Sequence, residues 1–434
     1  MSVFALGVAI SCLLLVFLFM EIQIWAALAL IGILGFTFFL PYMKEIMGAI
    51  CFNSITSAAL TAIPLFLFMG EIMANNGLSK NLYRGLRKLT ASLPGGLLHT
   101  NIICCSIFAA ISGSSVATAS TFGTIAYKEQ KEFGYPPEII SGTLAAGGTL
   151  GILIPPSIPL LIYASMTGQS ASKLFMAGIF PGIVMSLFFM VYIYIFSVIK
   201  RESFKNVEKI DPFRFRDFPE LLKDIWPFFL IILSILVGIY GGIMTPTEAA
   251  AVSVVEALIF TFLIGKLTFN LLKKSAISAL KTNAMIMLIY IGAQILGYFI
   301  SMIKLPANLC TMIQNMEISK FAVLFIITLM YYVLGSLMEA MSAIIITIPV
   351  TYPLMVGSMG FDPIWFGIYL VILNQIGLIT PPVGLNSYII YGISGEKGMG
   401  TVFKGVMPFV VIMLLFIILI LVYPNIVLFL PSRM

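Results

Sequence analysis

Long apolar runs, separated by short polar segments, occupy most of this 434-residue chain. A helix that crosses a bilayer needs about 20 mostly apolar residues. Ten runs have about that length and lie near residues 2–20, 22–41, 54–76, 140–164, 175–199, 226–243, 247–265, 283–302, 364–392 and 405–430. The pattern predicts an all-α polytopic membrane protein with about ten full spans. The first run lacks a basic leading segment and a small-residue cleavage site, so we expect a retained helix.

Two further apolar stretches, near 95–126 and 320–356, are longer and less regular than a single span. If each enters and leaves the membrane on one side and the N-terminus lies outside, 19 of the 24 Lys and Arg residues fall on the cytoplasmic side. Cytoplasmic loops of membrane proteins carry an excess of basic residues. We therefore expect two re-entrant hairpins, the first on the cytoplasmic side and the second on the periplasmic side.

The two halves of the chain align at an offset of 226 residues. The pairs at this offset are Gly134 with Gly360, Pro137 with Pro363, Gly151 with Gly377, and Pro155-Pro156 with Pro381-Pro382. Five spans in each half make an odd number of crossings, so the second repeat would be inverted, an arrangement typical of secondary transporters. This predicts a first repeat over 1–199, an amphipathic cytoplasmic connector over 200–225 and a second repeat over 226–434.

Composition narrows the possible functions. The chain is 60% hydrophobic and 10% charged, with a mean hydropathy of +1.08, whereas soluble domains are about 45–50% apolar and about 25% charged. A soluble enzyme and a nucleic-acid-binding protein are therefore excluded. A single histidine, His99, and five cysteines without a CxxC pair do not favour a zinc site. A membrane-embedded enzyme would need a catalytic cluster, and the scattered carboxylates supply none, so we expect no enzyme.

Two adjacent prolines interrupt an apolar run in each half, at Pro155-Pro156 and Pro381-Pro382. Proline removes an amide donor and breaks a helix. Lipid cannot satisfy the freed carbonyl groups, so such a break is tolerated only where it is buried in protein or lines a cavity. Carbonyl oxygens that face a cavity are suitable ligands for a hard cation. A packing kink without a ligand is the alternative interpretation.

Each predicted hairpin carries polar residues. The first contains Ser112-Gly113-Ser114-Ser115, whose small residues permit a tight turn and offer oxygens, although the same residues also suit close helix packing. The second contains Glu339, an ionisable residue at membrane depth and so a functional candidate. A hydrogen bond to the hairpin backbone is its other interpretation. Glu71, near a helix end, is interpreted either as structural or as a contact to a hairpin or partner.

A helix start after Thr245 and the placement of basic residues both bear on how the chain would hold an anion. Thr245-Pro246-Thr247-Glu248 predicts a capping box, with proline in the first helical turn. No Lys or Arg lies deep in a predicted span. An anionic substrate would therefore be held by helix N-termini, hydroxyl groups and bound cations rather than by a buried arginine.

Several strings together resemble the large membrane subunit (DctM-like) of tripartite ATP-independent periplasmic (TRAP) transporters. They are FLFMGEIMANNGLSKNL, ISGSSVATAS, GILIPPSIPLLIYA, KLFMAGIFPG, MTPTEAAAVS and NQIGLITPPVGLNSYII, and the resemblance covers about residues 40–425. It implies sodium-coupled import of an organic acid across the bacterial inner membrane, while the periplasmic N-terminus is expected from the distribution of basic residues. C4-dicarboxylates, sialic acid and other sugar or keto acids stay open as substrates. It also implies an elevator mechanism and two partners: a small four-helix membrane subunit and a periplasmic substrate-binding protein.

The resemblance also implies site residues, while no organic cofactor is expected. One sodium site would use Ser112, Gly113, Ser114, Ser115, Gly148, Thr149 and Pro155. A second sodium site would use Gly335, Glu339, Thr380, Pro381 and Gly384. Substrate would lie between the two sites, near Ser115, Thr118, Asn386 and Ser387. The alternative function is a stand-alone divalent-anion/sodium symporter, which would need no secreted binding protein.

Overall fold

A computed structural model describes residues 3–208 and 210–433 as helices joined by turns. Ser2, where the first predicted span begins, and Met434, where the second predicted repeat ends, lie outside the described residues. Lys209, one of the basic residues of the predicted connector, also lies outside them.

The first half is built from helices of 10 to 29 residues. Its α-helices within the described residues are α1 (Val3–Phe19), α2 (Ile24–Phe39), α3 (Ile46–Ile55), α4 (Ala58–Asn75), α5 (Leu78–Thr90), α6 (Leu97–Ser112), α7 (Ser115–Glu132), α8 (Pro137–Thr149), α9 (Ile158–Thr167) and α10 (Ala171–Ile199). The turn between α6 and α7 is the tip of the first predicted hairpin, whose second limb ends at Glu132 rather than near 126. The proline break separates α8 from α9.

The second half follows a similar order, with one long helix in the place of α3 and α4. Its helices within the described residues are α11 (Phe218–Tyr240), α12 (Pro246–Leu263), α13 (Phe269–Met302), α14 (Leu305–Asn315), α15 (Lys320–Leu337), α16 (Ala340–Tyr352), α17 (Pro363–Ile379), α18 (Leu385–Ser394), α19 (Met399–Val422) and α20 (Asn425–Leu428). A π-helical segment, Pro353–Ser358, extends α16. Helices α8 and α17 begin 226 residues apart. The inversion of one half relative to the other stays a prediction.

Seven described helices are long and apolar enough to cross a membrane, or eight if α3 and α4 form one bent span. The first two predicted spans correspond to the shorter single helices α1 and α2. Proline breaks divide two others into α8 with α9 and α17 with α18. Two of the seven long helices, α15 and α16 with its extension, form the stretch predicted as the second hairpin. The count of ten full spans therefore stays a prediction.

The connector is shorter than the predicted 200–225. Helix α11 already begins at Phe218, and the described residues before it form short 3-10 turns, Arg201–Phe204 and Phe215–Asp217, within irregular chain. Pro219 stands in the first turn of α11, where its missing amide donor costs nothing. The apolar residues Leu221 and Ile225 continue the helical face of the following span, which explains why the helix starts inside the polar segment.

The predicted capping box at the start of α12 is confirmed. The Glu248 amide donates to the Thr245 hydroxyl at 3.3 Å, and the Thr245 amide donates to the Glu248 carboxylate at 2.8 Å. Glu248 therefore has a structural role at this helix end.

The helices pack as two groups. Helices α1–α4 and α11–α13 contact one another and form the group that we call the scaffold. Helices α6–α10 and α15–α19 contact one another and form the hairpin group, which holds both tips and both proline breaks. Helices α4 and α13 provide contacts from the scaffold to the hairpin group, and α5 and α14 lie between the two groups.

Ion pairs connect α5 and α7 to neighbouring segments. They are Arg84 with Asp224 at 3.0 Å, Arg87 with Glu129 at 2.8 Å, Lys88 with Asp217 at 3.2 Å and Lys131 with Glu396 at 2.6 Å. The Lys131 ammonium group lowers the pKa of Glu396, which lies in the turn after α18. These pairs join basic residues of the predicted cytoplasmic side to the connector and to the hairpin group.

Candidate functional site

The tip of the first hairpin lies against the first proline break. Helix α6 ends at Gly113 in the left-handed region, with φ of 58°, a conformation that favours glycine. A Cβ atom there would lie 2.7 Å from the Pro156 carbonyl oxygen. Ser114 begins the next helix by accepting a hydrogen bond from the Ala117 amide. The structure thus brings together the hairpin turn and the break next to Pro155, as the sequence interpretation requires.

Oxygen atoms gather at this tip. The Ser112 hydroxyl lies 2.9 Å from the Thr118 hydroxyl and donates to the Ser114 carbonyl oxygen at 3.3 Å. Thr118 donates to the same Ser114 carbonyl oxygen at 2.8 Å. Hard cations prefer oxygen ligands of this kind, hydroxyl and carbonyl groups held close together.

The second hairpin makes the matching contact with the second break. The Gly384 amide, at the start of α18, donates to the Ser336 carbonyl oxygen at 3.0 Å. A Cβ atom on Gly377 would lie 2.5 Å from the Gly335 backbone, so the two helices meet at a pair of glycines. Thr380, beside Pro381, is buried and donates to the Gly377 carbonyl oxygen at 3.2 Å.

Two buried side chains on α17 were missed by the sequence interpretation. Asn374 and Gln375 are fully buried, and neither Asn374 Oδ1 nor Gln375 Oε1 has a hydrogen-bond partner in the described structure. Asn374 Oδ1 lies 3.7 Å from the position of a Cβ atom on Gly335, next to the second hairpin. A buried oxygen without a partner is costly. The adjacent Asn-Gln pair inside an apolar run is the signal that could have identified them.

The residues predicted to contact substrate are buried in protein contacts. Ser115 donates to Asn386 Oδ1 at 2.8 Å, and Asn386 donates to the Ala145 carbonyl oxygen at 3.2 Å. Ser387 donates to the Ile379 carbonyl oxygen at 2.9 Å. Thr118 bonds at the first hairpin tip. The bonds of Asn386 connect the two halves, and none of the four predicted residues lines the cavity described below.

Gly148 and Thr149 also join the two halves. A Cβ atom on Gly148 would lie 3.1 Å from Asn386 Nδ2. The Thr149 carbonyl oxygen accepts a hydrogen bond from Gln375 Nε2 at 2.9 Å, and these two residues stand 226 positions apart. The predicted site residues of one half thus contact the other half directly.

A cavity of about 420 Å³ lies between the scaffold and the hairpin group, within the range of about 300–1,000 Å³ that is typical of small-molecule sites. Its polar walls carry hydroxyl and carboxylate side chains from both groups: Glu71, Ser112, Ser114, Ser120, Ser278, Thr282 and Glu339. No Lys or Arg is among its described lining residues.

Three helix N-termini reach this cavity. The cavity is lined by Ser114 and Glu339, the N-cap residues of α7 and α16, and by Leu385, the first residue of α18. Helix N-termini carry unpaired amide groups and a partial positive charge, which favour anions. The Glu339 carboxylate makes no capping hydrogen bond to the start of α16. The arrangement can therefore hold an anion together with cations without a basic side chain.

Comparison with known sequences finds a family match over most of the chain. Residues 11–426 match the family described as "Tripartite ATP-independent periplasmic transporter, DctM component". The C4-dicarboxylate TRAP transporter large permease protein of Pseudomonas aeruginosa is 32% identical over 408 residues, which cover 94% of each chain. The 2,3-diketo-L-gulonate TRAP transporter large permease protein of Escherichia coli is 32% identical and covers 88% of this chain and 89% of its own length.

Comparison with solved structures concerns the fold alone. The YdaH transporter of Alcanivorax borkumensis superposes with a TM-score of 0.62 at 14% identity over 89% of both chains. MtrF of Neisseria gonorrhoeae superposes with a TM-score of 0.54 at 13% identity, covering 88% of this chain and 84% of its own. Both neighbours share the helical architecture.

Proposed function

This chain belongs to the DctM-component family of TRAP transporters, and on that premise we propose that it couples sodium entry to the import of an organic acid. Family membership makes it a large membrane permease subunit rather than an enzyme, in keeping with its several apolar helices. The observation that carries the proposal is the cavity between the hairpin tips and the scaffold, which combines three helix N-termini with clustered oxygens and has no basic residue among its described lining residues.

Two sodium ions would bind as transported ions, one beside each hairpin tip. The residues fit the first site because the Ser112 and Thr118 hydroxyls and the Ser114 carbonyl oxygen lie together. The second site would use Gly335, Glu339, Thr380, Pro381 and Gly384. It gains the buried Asn374 Oδ1, which has no partner among the described residues. Cations at both sites would neutralise an anion held between them.

Transport would follow an elevator movement in the bacterial inner membrane. The support is the division into two helix groups, because both tips and both breaks belong to the hairpin group while α4 and α13 provide the facing wall. If the hairpin group moves as one body against the scaffold, the cavity opens alternately to each side. We also propose that the N-terminus lies in the periplasm and that the two halves are inverted repeats.

A small membrane subunit and a periplasmic binding protein would complete the transporter. The family description names a tripartite system, and this chain is one component. The stand-alone divalent-anion/sodium symporter stays the alternative, and it differs in needing no binding protein.

Reconstitution into vesicles separates these two functions. The chain is inserted together with its small subunit, and uptake of labelled organic acids is measured with an inward sodium gradient, with potassium replacing sodium, and with or without the binding protein. We expect uptake only with sodium and the binding protein together. Equal uptake without the binding protein would establish the stand-alone symporter, and uptake indifferent to sodium would refute the coupling.

A further inference from the structure

The scaffold side of the cavity carries a carboxylate that the proposed sodium sites do not use. Glu71 on α4 accepts hydrogen bonds from the Ser278 hydroxyl on α13 at 2.7 Å and from Asn75 Nδ2 at 3.1 Å. A carboxylate offers about four acceptor positions, so acceptor capacity is left over. Glu71 lines the cavity opposite the hairpin tips and has no ion-pair partner among the described residues.

The two ends of the cavity therefore suit different chemical groups. The hairpin end presents helix N-termini and the proposed cations, which attract a carboxylate. The scaffold end presents Glu71 with the hydroxyls of Ser278 and Thr282. A ligand hydroxyl group can donate to Glu71 and accept from the Thr282 hydroxyl, because the Ser278 proton is already donated to Glu71. A second carboxylate placed there would face a like charge without a basic residue to compensate it.

We propose that the cavity takes a hydroxylated monocarboxylic acid, of the sugar-acid class, whose hydroxyl groups donate to Glu71 while its carboxylate faces the hairpin tips. This assignment rests on the proposed function, because it assumes that the cavity is the substrate site. It makes Glu71 a specificity-determining residue that disfavours unhydroxylated dicarboxylates.

Ligand-dependent melting of the purified full-length chain in sodium-containing detergent tests this assignment without requiring transport. The probes are gluconate, succinate and hexanoate, which differ in hydroxyl groups and in the number of carboxylates. Titration of each acid yields an apparent affinity for the wild type, Glu71→Gln and Glu256→Gln. Glu256 is the matched control because it also accepts from a serine, Ser234 at 2.7 Å, but does not line the cavity.

We expect gluconate to stabilise the wild type at lower concentration than the other two acids. Glu71→Gln removes the charge that strengthens the hydroxyl contact and repels a second carboxylate, so gluconate affinity should fall and succinate affinity should rise. The ratio of the two affinities should change by about tenfold, with no change in Glu256→Gln. A loss of folding would lower both affinities instead of moving them in opposite directions.

The proposal is overturned if succinate or hexanoate binds as well as gluconate, if none of the acids stabilises the chain, or if Glu71→Gln leaves the affinity ratio unchanged. These failures are distinct from failure of the proposed function. Sodium-driven uptake of succinate with the binding protein would support the proposed import function and contradict the proposed substrate class. Binding of gluconate without sodium-driven uptake of any acid would support the substrate class and contradict the import function.

Discussion

At the scale of single residues, the chemistry of the hairpin group depends on which polar atoms are already bonded. Ser115 and Asn386 bond to each other, and so their atoms are engaged within the protein. Asn374 Oδ1 has no partner among the described residues although it is fully buried. A buried oxygen of this kind costs about 1–3 kcal/mol unless something binds it. If Asn374 Oδ1 binds sodium, its removal weakens sodium binding. If it binds nothing, its removal relieves the cost and leaves sodium binding unchanged.

Asn374→Leu should raise the sodium concentration needed for half-maximal uptake by about tenfold or more, because a lost ligand at the second site costs about 1–3 kcal/mol. Sodium titration of uptake in reconstituted vesicles measures this. Ser253→Ala is the control, since Ser253 is buried on α12 and donates only to the Ala250 carbonyl oxygen of its own helix. A purely structural Asn374 would leave the sodium curve unchanged, and its replacement by leucine would make the chain equally or more stable.

At the scale of elements, each hairpin is two helices joined by a tight turn and packed against a broken helix of its own half. Helices α6 and α7 meet at Gly113, and α15 and α16 meet beside Glu339. Apolarity and length do not distinguish such limbs from full spans, as α15 and extended α16 demonstrate. The side of the membrane on which each hairpin opens follows only from the distribution of basic residues, and it can be measured directly.

Single cysteines at Lys128 and Gly357 should be labelled from opposite sides of the membrane. Both positions are exposed, and a Cβ atom on Gly357 would contact nothing within 4 Å. The background replaces Cys12, Cys51 and Cys310 and keeps the buried Cys104 and Cys105. An impermeant thiol reagent added to intact cells should label position 357 and spare position 128, which should react in inverted vesicles.

The parent with only the two buried cysteines is the control for this labelling and should not react. Labelling of both positions from outside would contradict the proposed topology. Replacing Lys128 removes only a long contact to Glu132 at 3.9 Å between exposed side chains, and such pairs contribute about 0–1 kcal/mol. The substitution should therefore leave the fold intact.

At the scale of the whole molecule, the scaffold and the hairpin group approach each other closely where Gly70 leaves room. A Cβ atom on Gly70 of α4 would lie 3.1 Å from the Ser112 Cα atom at the first hairpin tip. This contact borders the cavity, since both residues line it. A larger side chain would push the two groups apart, because backbone atoms on one side cannot rotate away as a flexible side chain can.

Gly70→Val should reduce sodium-driven uptake by about tenfold or more, because an elevator cycle must pass through the conformation in which the two groups meet. Uptake rate is compared with the amount of folded chain in the membrane. Gly48→Val on α3 is the matched control, as a Cβ atom there would contact nothing within 4 Å. Wild-type uptake by a well-expressed Gly70→Val chain would mean that this close approach is not part of the cycle.

Much of the helical architecture was predictable because membrane helices must satisfy their own backbone groups and are long and apolar. The capping box at Thr245 and Glu248, the helix start at Pro363 and the interruptions at both proline pairs depend on local chemistry. These three features can therefore be predicted from residues that are neighbours in the sequence. The bounds of the connector were less predictable, because α11 continues its apolar face into a polar segment.

The sequence by itself determined that the chain is a polytopic helical membrane protein, where its helices break, and which short segments carry polar atoms. Only the tertiary structure decided which of those atoms face a shared cavity. Glu71 and Ser278 come from helices about 200 positions apart in the chain, and they meet Glu339 across the boundary of two helix groups. Residue spacing encodes the period of one helix, whereas the wall of a cavity depends on how distant helices pack.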